Sequence, residues 1–223
     1  MTTSTLRIEL PDASLIGDLN EVGGAPGTVV FAHGSGSGRL STRNRRVAGL
    51  LNGSGFSTLL FDLLSEAEAR VDEYTAEHRF DIPLLAKRLT ATVDWLGKQP
   101  GQARRPIGLF GASTGAAAAL ITASERPGVI AAVVSRGGRP DLAMAAIPAV
   151  KAPTLLIVGG RDAGVLVLNR RAAEVLRAPH EIAVVDGATH LFEEPGALDE
   201  VARLAGEWFG RYFVRARAAP AHG

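Results

Sequence analysis

The chain has 223 residues, is 46% hydrophobic and 21% charged, and carries 24 Lys+Arg against 23 Asp+Glu for a formal net charge of +1. That is an ordinary globular composition, and a near-neutral chain exerts no long-range pull on nucleic acid or an anionic membrane. The absence of cysteine excludes disulfides, thiolate metal sites and a cysteine nucleophile.

The first residues lack a basic stretch followed by an apolar one, so no signal peptide is read there. Residues 6–10 and 14–19 read as short strands joined at Pro11-Asp12, an antiparallel pair at a sheet edge. Residues 27–32 are a continuous apolar run that ends in His33-Gly34-Ser35-Gly36-Ser37-Gly38, the pattern of a strand buried on both faces. Residues 42–51 read as a helix and 56–61 as the next strand. Residues 62–79 are acidic and weakly periodic, a long connection with some helix, of the kind where substrate loops sit. Leu85, Leu89, Val93 and Leu96 share one face of a helix over 81–96. A strand at 106–110 runs into an Ala-rich helix at 113–124, and apolar strands follow at 129–135 and 153–158. A helix over 165–177, a strand over 181–185 and an amphipathic helix through Leu198, Val201, Leu204, Ala205 and Trp208 complete the pattern. Trp95 and Trp208 read as helix core.

This alternation implies an α/β fold: a mostly parallel twisted sheet, its first strands antiparallel, with helices on both faces. Residues 1–214 are expected to form one domain and 215–223 a frayed tail. The most apolar stretch, 108–123, is broken by Gly, Ser and Thr and is too short for a membrane span. A cytoplasmic protein is the expectation. Oligomeric state is not legible in one chain.

Gly111-Ala112-Ser113-Thr114-Gly115 matches G-x-S-x-G where that motif has mechanical meaning, between an apolar strand and a helix. A sharp strand-to-helix turn strains the Ser backbone and exposes its Oγ, and the glycines let the chain pass too close for a Cβ. The alternative is a helix N-cap Ser beside flexible Gly. A Ser hydroxyl needs a base to take its proton. His190 follows the strand at 181–185 in Gly187-Ala188-Thr189-His190 and fits that role; the alternative is a loop histidine with no catalytic task. The acid that orients the base is Asp162, in the tight turn Gly159-Gly160-Arg161-Asp162, with Asp141 as rival and a cap or surface ion pair as the alternative for either. An oxyanion needs donors in place before reaction, and the main-chain N–H groups of Ser35 and Thr114 are the candidates. The glycine loop with Asp62 about 20 residues on also has some likeness to a dinucleotide fingerprint, but the spacing is G-x-G-x-G, not G-x-G-x-x-G.

Arg39, Arg43, Arg45 and Arg46 crowd the loop and helix after the first glycine run, and Arg136 and Arg139 flank Gly137-Gly138 at another strand end. C-terminal strand ends of a parallel sheet converge on the ligand crevice. His33, Arg43 and Arg136 are therefore candidate substrate-binding residues, the arginines for a carboxylate or phosphate. The alternative is a solvated basic face paired with Glu66, Glu68 or Asp72.

The segments His33-Gly34-Ser35-Gly36, Gly111 to Gly115, Gly160-Arg161-Asp162 and Gly187 to His190 resemble those of α/β-hydrolases, of the small lidless branch grouped with dienelactone hydrolases. The likeness covers nearly the whole chain. It implies a hydrolase of an ester, thioester or lactone of a small acyl substrate, needing no metal and no cofactor, with Ser113, Asp162 and His190 as a triad. Dienelactone hydrolases proper use a Cys nucleophile, whereas this chain has Ser113, so the resemblance does not extend to the dienelactone itself. Residues 136–150 leave no room for a large cap. The second reading is a catalytically silent hydrolase-like scaffold that binds a small anionic metabolite or a protein.

Overall fold

The computed structural model describes residues 1–218. The strands are β1 (Thr2–Glu9), β2 (Ser14–Glu21), β3 (Thr28–Ala32), β4 (Ser57–Phe61), β5 (Ile107–Ala112), β6 (Ile130–Arg136), β7 (Thr154–Gly159) and β8 (His180–Val185). The helices are α1 (Thr42–Gly53), α2 (Glu66–Thr75), α3 (Ile82–Leu96), α4 (Thr114–Glu125), α5 (Ala163–Val175) and α6 (Ala197–Ala218). One sheet holds the eight strands in the order β1-β2-β4-β3-β5-β6-β7-β8. β2 runs antiparallel to both of its neighbours, and β3 to β8 are mutually parallel.

The burial pattern explains the sequence. Every residue of β3, β4, β5 and β7 is buried, so these strands read as unbroken apolar runs and not as alternation. Alternate residues serve two cores. Val30, Leu59 and Leu109 pack under α3 and α4 with Leu85, Leu89 and Leu120. Val29, Phe31 and Phe110 pack against α1 and α6 with Val47, Leu51, Val201 and Phe209. Trp208 is buried in the second core, and Trp95 packs partly buried against the first. Among the described residues, no helix is long and apolar enough to cross a membrane.

Two local expectations are corrected, for β1 and the C-terminal segment, and the helix expected within 62–79 is located. β1 begins at Thr2, four residues before the predicted start, because its polar first half pairs with β2 at the sheet edge and faces solvent. The 62–79 connection contains a ten-residue helix, α2, started by a capping box in which Ser65 and Glu68 cap each other's backbone. The expected tail is partly helix, since α6 continues through 215–218; residues 219–223 lie outside the described residues. Between β6 and β7 the chain makes only two short 3₁₀ turns, Pro140–Ala143 and Ile147–Ala149, and no cap.

Candidate active site

Ser113 sits between β5 and α4 with φ 51° and ψ −120°, a region that side-chain-bearing residues rarely adopt. Such a conformation costs of order 1–3 kcal/mol and persists only where the surroundings impose it. Here they do. A Cβ on Gly115 would lie 2.2 Å from the Ala32 carbonyl oxygen, and one on Gly111 would lie 2.4 Å from Ala116 Cα. The Ser113 N–H donates to the Arg136 carbonyl at 3.2 Å, and the Ser113 carbonyl accepts from the Arg139 N–H at 3.1 Å. The end of β6 and the residues just after it, 136–139, thus grip the turn from both sides.

Ser113 and Asp162 both occupy helix N-cap positions, of α4 and α5, and neither side chain caps its helix. Asp162 Oδ2 instead accepts from His190 Nδ1 at 2.6 Å. That bond assigns the imidazole tautomer and leaves Nε2 as the other ring nitrogen. The rival acid, Asp141, is held by a two-pronged ion pair with Arg139, which keeps its carboxyl below the usual range.

The loops that carry Asp162 and His190 are tied through main chain. The Gly160 N–H donates to Val185 and the Arg161 N–H to Ala188, both at 2.9 Å. Gly159 permits this approach, since a Cβ there would meet the Ala188 oxygen at 2.4 Å. Gly137, at φ 53°, lies under the histidine: its Cβ would come within 3.2 Å of the His190 carbonyl.

Ser35, Arg43, Ser113, Arg136 and His190 line one cavity of about 200 Å³. No hydrogen bond joins Ser113 to His190 among the described residues; such bonds often tighten only when substrate is bound. Ser35 forms one wall. Thr114 is the first residue of α4, and the first N–H groups of a helix have no intrahelical acceptor.

His33 is buried. Its Nε2 accepts from the Leu63 N–H at 3.0 Å, and its Nδ1 lies 3.0 Å from the Gly34 carbonyl. Both ring nitrogens are committed to main chain, which ties the glycine loop to the end of β4. Burial pushes the His33 pKa down, against the opposing effects of the Gly34 carbonyl and Asp62. Asp62 completes the tie: its Oδ1 accepts the Arg39 N–H at 2.7 Å, and Oδ2 pairs with Arg39 Nε at 3.1 Å. The acid that had suggested a ribose ligand is a strut of this loop.

The basic rim finds partners other than those expected. Arg43 pairs with Glu193, Arg46 with Asp199, and Arg39 with Asp18 and Asp62. Sequence reasoning missed Asn44 and Ser41, which also line the cavity, and carried no signal for Glu193. A second cavity of about 280 Å³ lies on the other side of Gly34, Ser35 and Ser37, with Ile16, Leu64, Ala69 and Asp72 among its walls. Its outer wall is the α2 segment, which is linked to α3 through the Glu68–Arg88 ion pair at 2.7 Å.

Comparison with known proteins bears on this arrangement. Residues 15–212 match the model of the dienelactone hydrolase family. A dienelactone hydrolase from Anabaena variabilis is 51% identical, with a TM-score of 0.93 over 95% of this chain and 98% of that one. An α/β serine hydrolase homologue from Coxiella burnetii, 20% identical over 93% of this chain and 97% of its own, shares the fold with a TM-score of 0.76. Two Mycobacterium tuberculosis proteins, provisionally named phosphoribosyl transferases, are 58% identical over 183 residues. Those residues are 82% of this chain, but the match spans only 40% of the mycobacterial proteins' length. By sequence across nearly its whole length, and by the sheet and turns that position its polar residues, this chain belongs to the dienelactone hydrolase family and has the α/β-hydrolase fold.

Proposed function

We propose that the chain is a serine hydrolase that cleaves an ester, thioester or lactone of a small acyl substrate. The observation that carries this reading is the Ser113 backbone at φ 51°, with an uncapping side chain in the same cavity as the Asp162-bound His190. Family membership supports it. Ser113 Oγ attacks the substrate carbonyl carbon while His190 Nε2 takes the hydroxyl proton. The N–H groups of Ser35 and Thr114 donate to the oxyanion that forms. His190 passes its proton to the leaving oxygen or sulfur as the carbonyl–leaving-group bond breaks. Water then attacks the acyl-enzyme, its proton going to His190 and on to Ser113 Oγ as the acid departs. Asp162 holds the imidazole in the required tautomer and stabilises its cation. The phosphoribosyl transferase name of the mycobacterial relatives does not come over to a chain that spans 40% of their length.

The test is intact-mass labelling with a fluorophosphonate, followed by peptide mapping. One adduct on Ser113, absent in Ser113→Ala, is expected. A folded wild-type protein that takes no adduct would overturn the reading in favour of a silent binding scaffold.

A further inference from the structure

A surface helix ordinarily buries an apolar stripe, yet Asp72 is the only buried residue of α2. Polar ties hold the helix in place instead. Near its start, Glu68 pairs with Arg88 of α3 at 2.7 Å. Near its end, Asp72 accepts from the His78 and Arg79 N–H groups at 2.8 and 2.9 Å and from Arg79 Nε at 2.7 Å. Between helix and body lies the cavity of about 280 Å³, with Ala69 on the α2 side and Ile16, Leu64 and Leu85 on the other. Ile16 and Leu64 are only half-buried, so apolar surface stays bare inside a concave site. Concave apolar surface of this kind is where small molecules bind.

Charge excludes one class of occupant. Asp62 and Asp72 are engaged by Arg39 and Arg79, whereas exposed Glu66 and Glu73 line the same space and have no ion pair among the described residues. An anion is repelled there and an uncharged group is not. The cavity shares Gly34, Ser35 and Ser37 with the one that holds Ser113, while His190 and Leu191 line only the latter. A leaving group must reach His190 to take its proton. The space beyond the glycine loop therefore falls to the other substituent of the scissile carbonyl.

We propose that this second cavity binds the acyl chain of the substrate, and that the chain is an uncharged hydrocarbon of about six to eight carbons. The length follows from the volume. At ~30 Å³ for each water-sized unit, 280 Å³ holds roughly nine non-hydrogen atoms. The bound chain supplies the apolar contact that α2 does not find in the fold. The inference rests on the hydrolase reading and deepens it by naming the acyl class.

Two measurements test it. The first needs no turnover: the fluorine NMR line width of ~1 mM 4-fluorobenzyl alcohol, an uncharged probe of about the size of the cavity, with wild type, Ser113→Ala and Ala69→Phe. The line is expected to broaden with wild type and Ser113→Ala and to stay narrow with Ala69→Phe, whose ring fills the cavity. Broadening by none of the three, or equally by all, overturns the site. Broadening lost in Ser113→Ala places the probe at the nucleophile and overturns it too. The second measurement is the ratio of kcat/KM for p-nitrophenyl hexanoate to that for p-nitrophenyl butyrate. Burying a methylene is worth about fourfold, so wild type is expected to favour hexanoate about tenfold or more. The ratio is expected to fall to about unity in Ala69→Phe, and also in Ala69→Asp, which sets a charge beside the chain and serves where the ring only pushes α2 outward. No hexanoate preference in wild type, or one that neither substitution lowers, overturns the acyl assignment. So does a loss confined to the ratio of hexyl to ethyl acetate, which varies the leaving group. A protein that takes no fluorophosphonate on Ser113 defeats the hydrolase reading and leaves the probe result standing, so the two failures are separable.

Discussion

Asp162 spends its carboxylate on His190 and not on the helix it begins, and that choice has a measurable consequence. Asp162→Asn is expected to lower kcat on a p-nitrophenyl ester about 10⁴-fold, because the amide favours the wrong imidazole tautomer. A rate within a few-fold of wild type would move the role to Asp141. His33 predicts an effect on stability. His33→Leu orphans the Leu63 N–H and should cost about 1–3 kcal/mol in urea denaturation at pH 8. Because burial depresses the folded-state pKa, the unfolded chain protonates first as pH falls. The stability is therefore complete above the unfolded value of about 6.5 and declines below it; His33→Leu should remove that part of the pH slope. The roles proposed for Ser113, Asp162 and His190 were legible because each residue ends or follows an apolar strand next to glycine. The partners of the rim arginines were not legible. Six arginines stood on the expected rim, and only three-dimensional packing decides which of them meets a carboxylate.

At the scale of elements, glycine makes the nucleophile turn possible. Gly115→Ala drives a methyl group into the Ala32 carbonyl, so β3 and the loop after it must move. The expected outcomes are a loss of stability of about 1–3 kcal/mol or more and loss of fluorophosphonate labelling at Ser113. Unchanged labelling kinetics would mean that the turn is more compliant than its contacts imply. The central strands were readable because burial on both faces gives unbroken apolar runs. α2 was harder, since only Asp72 of its ten residues is buried and no apolar stripe marks it. Its start was nonetheless written in Ser65-Glu66-Ala67-Glu68, a capping box that outweighs weak periodicity. The first half of β1 carries neither signal, because its exposed side chains report only on the edge pairing that holds it.

Across the molecule, the two faces of the sheet do different work. α6 lies against β5, where Gly108 has no room for a Cβ because Phe209 would be 2.5 Å away. Phe209→Ala should therefore cost about 3–5 kcal/mol, read as a lower denaturant midpoint at an unchanged slope. The strand order was the least legible feature, since it depends on pairings between segments far apart in the chain. Main-chain hydrogen bonds stitch the loop of Asp162 to that of His190, and stitch the Ser113 turn to residues 136–139, which are tied in turn to β7 through the Gly137 N–H and the Ile157 carbonyl. No such bond joins residues 65–77 to those loops among the described residues, although α2 walls the larger cavity. Inheritance can act on these parts separately. Descendants of this chain can lengthen, shorten or replace the α2 segment without untying any loop of the reacting centre. Diversification towards new substrates should therefore accumulate there, while the segments around 113, 137, 160 and 188 tolerate neither insertion nor deletion.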